Sequence, residues 1–116
     1  MSAFDSSGFR YAIENRDANK LASYYADDAT LQVIDRSRMP SNPLVMNGKA
    51  AVSAYFDDIC GRAMTHSIES LIENGDKAAY SETCLYPDGT RVYCGAFLDL
   101  VDGKIVRQSQ VQAWDE

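Results

Sequence analysis

The chain has 116 residues, 46% of them hydrophobic and 24% charged, and a formal net charge of −6 at pH 7. That length suits a single domain over residues 1–116, and the acidic balance argues against nucleic acid, whose phosphates need a basic patch larger than Arg36 with Arg38. No apolar run approaches the roughly 20 residues of a membrane span and the first ten residues lack a leader pattern, so the expectation is a cytoplasmic protein with no membrane partner.

In chain order, the first expected element is a short helix. Ser6 or Ser7 is placed to cap it, and Phe9, Ala12 and Ile13 recur at i, i+3 and i+4. Asp17 is expected to cap a second helix, whose apolar stripe is Ala18, Leu21, Ala22 and Tyr25. Asp27 and Asp28 break that pattern as a tight turn. Leu31 and Val33 then alternate with Thr30, Gln32 and Ile34 as a largely buried strand does. After Asp35, residues 36–47 hold Pro40 and Pro43 and read as a loop with a short strand at 44–46; such a loop either rims a site or simply faces solvent.

A third helix is expected after Asn47, its cap. Val52, Tyr55, Phe56, Ile59 and Cys60 form a wide stripe, and Gly61 suits the left-handed position past the last turn. From residue 63 the period changes to two. Strands are expected at 63–73, 77–86, 91–101 and 104–114, separated by Asn74-Gly75, Pro87-Asp88-Gly89 and Asp102-Gly103, so they form an antiparallel meander. Helices first and strands later define an α+β class.

In the strand 91–101, Val92, Cys94, Ala96, Leu98 and Leu100 share one face, and Tyr93 and Phe97 share the other. Both faces therefore need a cover. In the last strand Val106, Gln108, Gln110, Gln112 and Trp114 share one parity: facing inward, the amides can bond a polar ligand; facing outward, they are a solvated surface. Cys60, Cys84 and Cys94 have no metal-ligand spacing and are odd in number, so they are expected to act as small apolar residues.

The run Tyr25-Ala26-Asp27-Asp28-Ala29-Thr30 resembles the YADDAT segment of ketosteroid isomerases, members with the SnoaL-like polyketide cyclases of the nuclear transport factor 2-like superfamily. Asn47-Gly48-Lys49, Asn74 to Ala78 and Asp102 to Val106 match further features in the same order. The resemblance implies a cone-shaped, curved, mostly antiparallel sheet packed on three N-terminal helices, the cystatin-like α+β barrel. It also implies a homodimer joined sheet to sheet, for which Cys94, Ala96, Leu98 and Leu100 are the expected face.

Carried over position by position, the isomerase base falls on Val33, the oxyanion-hole tyrosine on Phe9, and the protonated acid on or beside Phe97. These apolar residues imply no ketosteroid isomerase activity. Asp35, two residues beyond Val33, and His66, the only histidine, are the expected acid–base pair if the protein is an enzyme. The expected ligand-binding residues are Phe9, Val33, Tyr55, Phe97, Gln108, Gln110, Gln112 and Trp114. No metal or cofactor is expected. Two functions stay open: a non-catalytic domain binding a small hydrophobic or carbonyl-containing molecule, and an isomerase, cyclase or dehydratase working by proton transfer on a carbonyl compound.

Overall fold

The computed structural model describes residues 3–115. Its elements are α1 (Ser6–Glu14), α2 (Ala18–Ala22), β1 (Tyr25–Ile34), β2 (Leu44–Asn47), α3 (Lys49–Gly61), β3 (Thr65–Glu73), β4 (Lys77–Leu85), β5 (Arg91–Val101) and β6 (Lys104–Trp114). The strands form one sheet in the order β2-β1-β6-β5-β4-β3. Only the β1–β6 ladder is parallel; the others are antiparallel. The fold is thus the expected α+β cone, with a curved sheet against three helices. No helix among the described residues is long and apolar enough to cross a membrane.

The helix ends differ from the expected ones by small steps with local causes. Asp5 caps α1, its carboxylate accepting from the Gly8 amide at 3.0 Å, and Ser6 and Ser7 lie inside the helix. Asp17 caps α2 as expected, accepting from the Lys20 amide at 3.1 Å. Tyr25 is not on that helix. It opens β1, where it pairs with Ile105, and is 1% exposed. Asp27 and Asp28 make no turn between elements; they ride on an irregularity of the β1–β6 register between Tyr25 and Thr30, and both face solvent. Asn47 closes β2 by pairing with Thr30, which leaves the cap of α3 to Gly48 at φ 88°, a conformation costly for a residue with a Cβ. Gly61 is helical, and the chain leaves α3 through an extended Arg62.

The inner face of the sheet packs on the helices. Leu31, Val33, Ile68, Tyr80, Leu98 and Ile105 meet Ile13, Leu21, Val52 and Phe56 in one buried cluster. Phe9 is enclosed by aromatic rings, its centroid 5.2 Å from that of Phe4, 5.7 Å from Tyr24 and 5.6 Å from Tyr80. The two faces of β5 are therefore the reverse of the expected use. Cys94, Ala96, Leu98 and Leu100 are the core face and cannot meet a second subunit, whereas Tyr93 and Phe97 stand 55% and 62% exposed on the outside. The small and aliphatic run suits the concave side, where helices approach closely. A register shift in β3 between Ile68 and Ser70 turns Ile72 outward, away from the inner face that carries His66 and Ile68.

Candidate functional site

A cavity of about 240 Å³ lies between α3 and the inner face of the sheet. Val33, Tyr55, Phe56, Tyr80 and Trp114 give it an apolar lining, and Asp35, His66, Glu82, Gln110 and Gln112 add polar groups. Its inner wall is a block of four side chains from three adjacent strands. His66 pairs with Cys84 across β3 and β4, and Glu82 pairs with Cys94 across β4 and β5. Residues directly opposed in a sheet point to the same face, so the ladder itself gathers them.

His66 Nδ1 lies 2.7 Å from Glu82 Oε2 and 3.3 Å from Cys84 Sγ, and the Cys84 thiol donates to Glu82 Oε2 at 3.3 Å. All three residues are buried, and His66 Nε2 has no hydrogen-bond partner among the described residues. Burial opposes a charge on the imidazole, but the bonds to Cys84 and Glu82 outweigh it and lift the pKa to about 9. The Cys84 thiol is pushed up by its bond to Cys94 and then by burial, and stays protonated. At neutral pH the pair is therefore an imidazolium held by a carboxylate. Nδ1 is committed to the protein, and Nε2 carries a proton that none of the described residues accepts.

Asp35 also lines the cavity, just past the end of β1. Its carboxylate accepts from both the amide and the hydroxyl of Ser37, each at 2.8 Å, and closes a small turn with Arg38. The carboxylate against His66 is therefore that of Glu82, which the sequence reading did not single out. A signal for it existed: Ala78, Tyr80, Glu82 and Cys84 share one parity of β4, and a carboxylate among them was bound to be buried.

The glutamines of β6 face inward. Gln108 lies beneath the cavity and does not line it; it is bonded to the Tyr25 hydroxyl, to the Tyr80 hydroxyl at 3.3 Å and to Gln110 Oε1 at 3.1 Å. Gln110, Gln112 and Trp114 reach the cavity wall, and the Trp114 indole donates to Gln112 Oε1 at 3.2 Å. Tyr55 faces them from α3, its phenol pKa raised chiefly by burial. Three expected ligand contacts are absent from the wall: Gln108, which lies beneath it, and two phenylalanines. Phe9 is enclosed by other aromatic rings, and Phe97 is on the opposite side of the sheet. The inward neighbours of Phe97 are Ala96 and Leu98, so the position of the isomerase acid is apolar in either alignment.

The rim is a row of stacked and bonded groups. Arg36 sits 5.1 Å over the Trp114 ring, Tyr86 stacks beside it at 5.8 Å, and Arg62 bridges the Tyr86 hydroxyl and Asp58 at 2.9 and 2.8 Å.

Comparison with known proteins gives a consistent picture. The model of a family described as SnoaL-like domain matches residues 7–108. No curated protein matches the sequence. Solved structures with the same fold include a nuclear transport factor 2-like protein of unknown function from Mesorhizobium loti, with a TM-score of 0.78 and 17% identity over 90% of this chain and 84% of that one. Another of unknown function, from Burkholderia xenovorans, has a TM-score of 0.78 and 17% identity over 92% and 78% of the two chains. A protein of ketosteroid isomerase-like fold from Catenulispora acidiphila, solved in complex with trimethylamine, has a TM-score of 0.68 and 14% identity over 93% and 85%. At these identities the likeness is one of fold.

Proposed function

The chain belongs to the SnoaL-like domain family, and from that premise we propose that it binds a small hydrophobic or carbonyl-containing molecule in the cavity beside α3. The observation that carries this reading is the largely apolar enclosure with His66 on its wall, whose buried Nε2 has no partner among the described residues. A buried donor without a partner costs about 1–3 kcal/mol, and a ligand that offers an acceptor recovers part of it. Val33, Tyr55, Gln110, Gln112 and Trp114 supply the surrounding contacts.

Trp114 is the only tryptophan, so its fluorescence reports on the cavity. In a panel of neutral carbonyl compounds and their hydrocarbon counterparts, saturable Trp114 quenching is expected for carbonyl members. His66→Gln is expected to weaken that binding about 10-fold, the worth of one good hydrogen bond. Equal affinity for the matched hydrocarbons, or unchanged affinity in His66→Gln, would place the ligand elsewhere.

The 2.7 Å contact between His66 and Glu82 supports a second reading, proton transfer in an isomerase, cyclase or dehydratase. Here His66 moves the proton, Glu82 orients it, and Asp35 is the second carboxylate on the wall. No turnover of a β,γ-unsaturated ketosteroid is expected, since Val33 offers no base and Ala96 and Leu98 no acid.

We further place the whole chain in one cytoplasmic domain that pairs with a second copy through the outer face of β5 and β6. Tyr93, Phe97, Val101 and Val111 are the exposed apolar residues there, and the free thiols of Cys60, Cys84 and Cys94 suit a reducing compartment. Light scattering is expected to report twice the 12.8 kDa of one chain, and Tyr93→Ser with Phe97→Asp to return it to a single chain. A wild-type monomer at high micromolar concentration would end the dimer proposal.

A further inference from the structure

We propose that His66, Glu82 and Cys84 form a binding site for a thiophilic divalent cation of the zinc type. This goes beyond the binding of an organic molecule and does not depend on it. The three donor atoms are Nδ1, Oε2 and Sγ, at mutual distances of 2.7, 3.3 and 3.3 Å. Four-coordinate zinc with bonds of about 2.0–2.3 Å holds neighbouring ligand atoms roughly 3.4–3.6 Å apart. The sulfur distances are thus within a few tenths of an ångström of what coordination needs. The nitrogen–oxygen distance has to open further, which a rotation of the Glu82 side chain provides.

The chemistry of the set agrees with its geometry. All three residues are buried, so their donor atoms are largely withdrawn from bulk solvent. Imidazole and thiolate prefer zinc-like ions over magnesium or calcium, which take sets made mostly of oxygen. When the ion enters, the imidazolium gives up its Nδ1 proton and the Cys84 thiol its S–H proton. Two protons leave, and a neutral imidazole, a carboxylate and a thiolate together neutralise the +2 charge. Because all three residues line the cavity, the fourth position of the ion lies on the cavity side, open to water or to a ligand oxygen. His66 and Glu82 are 16 residues apart and Glu82 and Cys84 only two; no sequence spacing announces the site, and the β3–β4 register assembles it.

The test uses the full chain, stripped with a chelator and without organic ligand, so that its outcome is separate from that of the fluorescence titration. Cobalt(II) is the probe. Binding of one ion per chain is expected, with a thiolate-to-cobalt charge-transfer band and the visible bands of a four-coordinate ion, both erased by zinc. Cys84→Ser should abolish the charge-transfer band, and His66→Gln should weaken binding at least 10-fold. Absence of the band in wild type, or its persistence in Cys84→Ser, overturns the proposal. If Cys84→Ser does not fold, zinc-edge X-ray absorption of the wild type decides instead. One sulfur with nitrogen and oxygen neighbours supports the site; a shell without sulfur refutes it.

Discussion

Gln108→Ala is expected to lower the unfolding free energy by about 3–4 kcal/mol, measured as a fall in the urea midpoint. Gln108 is 0% exposed and uses both ends of its amide. Its oxygen accepts from Tyr25, and its nitrogen donates to Tyr80 and Gln110. Truncation leaves a void and strands the Tyr25 hydroxyl in the core, away from the cavity. Burial holds both tyrosine phenols far above their usual pKa, so neither escapes by ionising in the accessible range. Tyr25→Phe removes the stranded hydroxyl, so adding it to Gln108→Ala should cost less than it does alone. Strict additivity of the two substitutions would show that Tyr25 and Gln108 do not act as a unit.

The second large effect is a pH dependence of the metal-free protein. The His66 pKa is raised from 6.5 to about 9, so its bonds to Cys84 and Glu82 stabilise the fold fully below pH 6.5, and that contribution is lost as pH rises through 9. A shift of that size corresponds to something on the order of 3 kcal/mol. Cys84 does not titrate in this window, because its thiol is displaced well upward. Thermal unfolding from pH 6 to 10 in chelating buffer should show the decline. Glu82→Gln should flatten it and cost about 2–3 kcal/mol at pH 7, since the imidazolium loses its counter-charge. A Glu82→Gln protein with the wild-type slope would assign the pH dependence to another group.

The two longest strands were legible residue by residue. The stretches 91–101 and 104–114 coincide with β5 and β6, because period-two alternation and the Asp102-Gly103 turn are local signals. Helix caps were less legible. Asp5, Ser6 and Ser7 all carry suitable oxygens, and only the path of the chain selects Asp5. Tyr25 has the right spacing for the α2 stripe, yet the parallel ladder with β6 draws it into a strand, an interaction between residues 80 apart that no local window contains.

The site shows the same division more sharply. His66 and Asp35 were recognisable by type, since a single histidine and a carboxylate in phase with Val33 are features of the sequence itself. That His66 is matched with Glu82 and Cys84, while Asp35 serves its own turn, was decided by strand register.

By itself, then, the chain determined its class, the order of its elements and the meander, all carried by short-range periodicity and residue chemistry; the apolar residues at the isomerase positions are what the resemblance of its motifs implies. The tertiary structure decided which face of each strand is inside. A strand has two faces of similar apolar content, and only curvature and the approach of the helices choose between them. That choice sent Phe97 outward, brought Gln108 to the core and Gln110 to the cavity wall, and closed His66, Glu82 and Cys84 into one cluster.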